Sequence, residues 1–305
     1  MEHANRPGGD GAERVATAAD GTRIAYRVGG SGSPLVLLPG QANDHRWWGR
    51  VAPVLAEHHT VLAPDPRGTG HSDAPTGPYT TRGMAEDVVA VLDDAGVGRA
   101  HLYGASMGGR VAQWFAVDHA GRLGALVLGC TSPGGDVGVE RGEEVRRSLA
   151  VRDEDLRRAR LLDLMYTPAW LAAHPGPYDV VGSEGMTHRT RRWHLHASET
   201  HDASQVLGRI TAPTLVLHGA DDRMTPVANH ELLCSRIPGA RGHVFAGARH
   251  AYFDECAEDR GAAAGATRLV LEHLRAHDHL AADDDADEHP ATAADPTDHD
   301  TQTGS

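Results

Sequence analysis

Apolar residues fall along this chain in two rhythms. Short runs that are apolar throughout, such as PLVLL at 34–38, read as strands buried on both faces; longer stretches with apolar residues three and four apart read as helices. From residue 20 the two alternate. TRIAYRV and PLVLL are strands joined by a Gly/Ser turn, RWWGRVAPVLAEH is a helix, HTVLAPD a strand, TTRGMAEDVVAVLDDAG a helix, AHLYG a strand, MGGRVAQWFAVDHA a helix and GALVLG a strand. That alternation predicts an α/β fold, a mostly parallel sheet with helices on both faces.

The rhythm breaks between residues 132 and 207, where EEVRRSLAVRDEDLRRARLLDLMY and TPAWLAAH read as helices with no strand between them. It resumes with APTLVLHG, PVANHELLCSRI, RGHVF and GAAAGATRLVLEHLRAH. The expected organisation is a core over 20–131 and 208–276 with a helical lid inserted at 132–207. Residues 1–19 are small and polar and read as a flexible arm. From His277 to the end there are nine acidic residues and no arginine or lysine, so 277–305 reads as a disordered acidic tail.

The tail also changes the meaning of the net charge. The whole chain carries -13, but residues 1–276 hold 33 acidic against 29 basic residues, so the body is nearly balanced and offers nothing to a nucleic acid. Every basic residue is arginine, which reads as a genomic composition bias without functional content. The three cysteines are odd in number and outside any ligand spacing, and no apolar run approaches the ~18 residues that would cross a membrane. With no basic start followed by an apolar stretch at residue 1, a cytoplasmic protein without membrane contact is expected. The four histidines of the tail lack an ordered frame, so no metal is expected there or elsewhere.

Chemistry enters at YGASMGG. Gly104-Ala105-Ser106-Met107-Gly108 has the form G-x-S-x-G, preceded by a strand and followed by a helix. A serine on such a turn projects above the sheet, and the helix that starts beside it offers unpaired N–H groups to a developing oxyanion. Serine needs a base, and the base an orienting acid. Asp221 and Asp222 follow the strand TLVLHG, and His250 follows HVFAG, so the order is serine, acid, histidine.

With these residues the chain resembles the α/β-hydrolase superfamily over about 20–276. The resemblance implies a catalytic set of Ser106, His250 and Asp222, the family's spacing from Gly219 and to Pro226 selecting Asp222 over Asp221. LLPGQAND resembles the family's oxyanion loop, with Pro39 where histidine is common, and implies the backbone N–H groups of Gln41 and Met107 as oxyanion donors. DPRGTGHSD resembles a recurrent family segment, and Asp65, Arg67, Gly68, Gly70 and Ser72 are read there as a structural turn. Trp47, Trp48, Trp170 and Trp193 are candidate walls of the substrate pocket or core residues, and Trp114 is read as core.

The lid, the S-M-G-G elbow and LVLGCTSPGG most resemble 3-oxoadipate enol-lactonase-like and other small ester or lactone hydrolases. The implied reaction is ester or lactone cleavage on a small-molecule substrate, with no cofactor. Carbon-carbon bond hydrolases and cofactor-free perhydrolases or haloperoxidases share the elbow. A non-hydrolytic catalyst or a ligand-binding protein on the same fold is the remaining alternative. Ser106 stands where epoxide hydrolases and haloalkane dehalogenases place an aspartate.

Overall fold

The computed structural model describes residues 11–258 and 265–281. In chain order its elements are β1 (Ala12–Thr17), β2 (Arg23–Gly29), β3 (Ser33–Leu38), α1 (Ala52–Ala56), β4 (His59–Pro64), α2 (Thr81–Ala95), β5 (Ala100–Ala105), α3 (Met107–Asp118) and β6 (Leu123–Gly129). There follow α4 (Glu143–Leu149), α5 (Glu154–Met165), α6 (Pro168–Ala173), α7 (His188–Glu199), β7 (Thr214–Gly219), α8 (Ala228–Arg236), β8 (Arg241–Phe245), α9 (Tyr252–Glu255) and α10 (Ala266–Arg275). One eight-stranded sheet runs in the order β1-β2-β4-β3-β5-β6-β7-β8. β2 is antiparallel to both its neighbours, β1 and β4, and the pairs from β4 to β8 are parallel.

The apolar strands are buried on both faces because side chains alternate across the sheet. Val36 and Leu38 of β3, Leu102 of β5, Leu126 and Leu128 of β6 and Val216 of β7 pack into one cluster with α2 and α3. Their neighbours Leu35, Leu37, Tyr103, Val127, Leu215 and Leu217 pack into the other, with α1, α9 and α10. At roughly 1.5–3 kcal/mol for each large side chain, these two clusters supply most of what holds the sheet.

Two boundaries differ from the sequence expectation. The arm expected over 1–19 is a strand from Ala12, paired in register with β2 from Ala12↔Val28 to Thr17↔Arg23. Its burial pattern explains why it was missed: Ala16 alone turns inward, so the strand carries almost no apolar signal. The tail expected from His277 begins with a helical turn at Asp278–Leu280, where Asp278 Oδ1 accepts a hydrogen bond from Ser33 Oγ at 2.6 Å and lies 3.3 Å from His101 Nε2. Residues 1–10 and 282–305 lie outside the described residues.

Between β6 and β7 the described chain holds only helices and loops, as expected, but α7 joins the helices read from the sequence. Its sequence HRTRRWHLHASE is dominated by arginine and histidine, which hides the few side chains it buries, among them Thr190, His194 and Ala197.

Candidate active site

Ser106 occupies the turn between β5 and α3 at φ 55°, ψ -120°, a conformation that costs a non-glycine residue about 1–3 kcal/mol and persists only where the surroundings impose it. The surroundings are backbone. A Cβ on Gly104 would stand 2.4 Å from the Gly108 carbonyl oxygen, and one on Gly108 would stand 2.1 Å from that of Leu38. Glycine is therefore required at both positions for strand, turn and helix to approach. Ser106 N–H donates to Gly129 O at 2.9 Å, and Thr131 Oγ1 donates to Ser106 O at 2.7 Å, which fixes the turn from β6. The serine is half-buried at the start of α3, where first-turn N–H groups and the positive end of the helix converge.

Asp222 and His250 come from the loops after β7 and β8. Those loops close on each other because Gly219 has no side chain: a Cβ there would lie 2.3 Å from Arg249 O. His250 Nδ1 donates to Asp222 Oδ2 at 2.7 Å, with both side chains almost fully buried. Asp222 Oδ1 accepts the N–H groups of Met224 and Thr225 at 2.8 and 2.9 Å. His218 Nε2 stands 3.5 Å from Oδ2 while donating to Thr225 O at 2.8 Å. Burial works to raise the Asp222 carboxyl, but the two histidines outweigh it and hold the group at about 2, so it is an anion throughout the neutral range. Asp221, by contrast, is exposed. With Nδ1 committed to Asp222, Nε2 is the His250 nitrogen left to exchange a proton.

Gln41 lies in the loop after β3, followed by Ala42 at φ 61°. The inserted segment holds that loop in place. Ala42 N–H donates to His194 Nδ1 at 3.2 Å, Ser183 N–H donates to Ala42 O at 2.6 Å, and Gly182 N–H donates to Asn43 Oδ1 at 2.8 Å. Asn43 Nδ2 in turn donates to Gln41 O at 2.9 Å. His194 donates its Nε2 proton to Arg67 O at 2.8 Å, so Nδ1 is the acceptor, and burial keeps the imidazole neutral by pushing it down to about 4.

The sequence profile of the alpha/beta hydrolase fold family matches residues 33–169 and 177–256, which span the elbow, both loops and most of the sheet. The chain belongs to the α/β-hydrolase family. RutD of Azorhizobium caulinodans, which carries the name of a carbamate hydrolase, is 30% identical over 224 residues, covering 72% of this chain and 84% of its own. A hydrolase of known structure from Pseudomonas aeruginosa superposes with a TM-score of 0.74 at 31% identity, over 87% of this chain and 99% of its own. The enol-lactonase of Burkholderia xenovorans superposes with the same score at 26% identity, over 86% of this chain and all of its own.

In this α/β-hydrolase the candidate tryptophans do not converge on one wall. Trp47 and Trp48 are buried against Phe253, Trp48 also against Tyr103, and Trp170 stacks on Tyr166 at 4.0 Å in the same cluster. Trp193 packs over Gly77 and near Tyr79, on the fringe of the other cluster. Trp114 is also at that fringe, half-buried beneath Arg82. The segment DPRGTGHSD is a tied turn: Asp65 accepts the N–H groups of His45 and His71, Arg67 forms a paired contact with Asp87 at 2.6 and 2.8 Å, and Ser72 bridges Asp65 O and Ala25 N. Among the described residues Asp44, His45 and Asp65 stand close enough to suggest a metal site, but Asp44 is engaged by Arg46 and Asp65 by His45.

Sequence reading passed over His218 and His194, two of 21 histidines. His218 had a usable signal, since it lies four residues before Asp222 at the end of an apolar strand. His194 had none, because the helix that carries it was not recognised.

Proposed function

We propose that this hydrolase cleaves a carboxylic ester or a lactone by acyl transfer. Ser106 Oγ attacks the carbonyl carbon while His250 takes its proton, Asp222 holds the imidazole in the required tautomer and stabilises its positive charge, and the N–H groups of Gln41 and Met107 receive the oxyanion. His250 then returns the proton to the leaving alkoxide. Water, deprotonated by His250, cleaves the acyl-enzyme and releases the acid. The scheme calls for no cofactor or metal, and the segment 132–207 serves as the lid over a small-molecule substrate in the cytoplasm.

The observation that carries this reading is the buried 2.7 Å contact between His250 and an Asp222 held ionised, in a chain whose serine occupies a strained turn at a helix start. The esterase and lactonase names among structural relatives favour carboxylic substrates over other hydrolase chemistry. Intact mass after exposure to a fluorophosphonate tests it: one adduct is expected on the native protein and none on Ser106→Ala. Short nitrophenyl esters and lactones then measure turnover. Folded protein that forms no adduct would remove Ser106 as an activated nucleophile.

A further inference from the structure

We infer that Glu255 is a positioning residue for His250, and that through it residues 163–167 of the inserted segment form the seat of the base. The inference rests on the acyl-transfer reading for what His250 does; the seat itself is read from separate contacts. An imidazole stands where its backbone puts it, and the chain on both sides of His250 is bonded to the inserted segment. Ala251 N–H donates to Met165 O, at the end of α5, at 2.9 Å. Arg249 Nη1 donates to Tyr166 O at 3.1 Å and to Asp163 Oδ1 at 2.7 Å. Glu255 adds a third tie. The N–H groups of Asp254 and Glu255 donate to Ala251 O at 3.0 and 3.1 Å, so the short helix α9 turns back on the loop that carries His250. There Glu255 Oε2 accepts Arg249 N–H at 2.7 Å and Oε1 accepts Thr167 N–H at 2.6 Å. One carboxylate thus joins the main chain just before His250 to the main chain just before α6.

Placing a carboxylate there is costly, because Glu255 is buried and its neighbour Asp254, which accepts Tyr166 O–H at 2.6 Å, is a second acid in the same short helix. An apolar side chain would fill the space without that cost. What a carboxylate supplies is two strong acceptors at a fixed separation, and Arg249 and Thr167 both lie outside helix and strand, where no regular ladder takes up their N–H groups. The chemistry makes that precision matter. His250 has to keep Nδ1 on Asp222 while Nε2 meets Ser106, and a base displaced by about 1 Å can lose about 100-fold in rate. It follows that residues 163–167 cannot lift away from the body without carrying His250 with them.

The test compares native protein with Glu255→Ala and Glu255→Gln, and Thr167→Pro with Thr167→Ala, each checked for an unchanged far-ultraviolet spectrum. Thr167 lies at φ -67° and Tyr166 before it at φ -132°, ψ 151°, so proline suits the backbone and removes the N–H that Glu255 accepts. Alanine keeps that N–H, and both variants lose the hydroxyl that caps α6. On nitrophenyl esters, kcat and the rate constant of fluorophosphonate labelling should fall together, about 10- to 100-fold in Glu255→Ala and less in Glu255→Gln, with KM changed less than about threefold. Thr167→Pro should lose at least about fivefold more than Thr167→Ala, and should add little to Glu255→Ala in the double variant. Native kcat in the folded Glu255 variants, or equal rates in the two Thr167 variants, overturns the inference. Should Glu255→Ala fail to fold, Glu255→Gln and the Thr167 pair decide it. Proton NMR gives a reading without turnover: the His250 Nδ1 proton should resonate far downfield, disappear in Asp222→Asn and broaden or vanish in the Glu255 variants. If native protein hydrolyses no ester and forms no adduct, the acyl-transfer reading has failed; loss of that resonance in the Glu255 variants would still support the seat, and an unchanged resonance would overturn it.

Discussion

At the scale of single residues, the two adjacent aspartates separate cleanly. Asp222 is buried and carries four contacts, and Asp221 is exposed, so Asp222→Asn should reduce kcat by about 10³- to 10⁴-fold while Asp221→Asn changes it less than about twofold. Nitrophenyl ester hydrolysis measures both, and reversed effects would move the acid to Asp221. His194 holds the loop of Gln41 through the N–H of Ala42. His194→Ala should therefore lower kcat about tenfold with little change in KM, and His194→Gln, which can still accept from Ala42 N–H, should recover part of the loss. Ser106 is legible from its flanking glycines between a strand and a helix, Asp222 from the family's spacing to Gly219 and Pro226, and His250 from its place in the loop after the next strand. His218 stands four residues before Asp222 at the end of an apolar strand, a signal left unread, whereas His194 lies on a helix rich in arginine and histidine that gives none.

At the scale of elements, the elbow depends on close backbone contact. Gly108→Ala must displace the Leu38 carbonyl, which no side-chain rotation can relieve, and should cost about 3 kcal/mol or more. Gly96, the cap of α2 at φ 70°, has open space around it, so Gly96→Ala should cost only about 1 kcal/mol. Urea titration of both variants checks the ranking; equal losses would mean that the packing around Gly108 yields easily. The same distinction governs what was legible. Strands such as Leu123–Gly129 announce themselves because both faces are apolar. β1 buries one alanine and α7 buries polar side chains, so neither rises above its loop-like composition.

At the scale of the whole molecule, several histidines are held neutral inside the fold. Burial pushes His101, His194 and His273 down to about 4 and holds His201 well below its ordinary value, against an unfolded value of 6.5. Between pH 6.5 and about 4 the unfolded chain binds protons that the folded chain refuses, so stability falls as pH falls, by up to about 1.4 kcal/mol per pH unit for each group. Above pH 6.5 these groups contribute no slope. Calorimetric melting should therefore give a nearly constant Tm from pH 7 to 8 and a steep decline below pH 6; a flat profile to pH 5 would mean that the imidazoles ionise in place. The mostly parallel sheet follows from strand and helix alternation, but the ties between distant segments do not. Three of those ties join Gly182, Ser183 and His194 to Ala42 and Asn43. The helices between β6 and β7 are consequently not an exchangeable cassette: a graft from a relative would have to bring its own partners for residues 42 and 43, or the loop after β3 would be left unsupported.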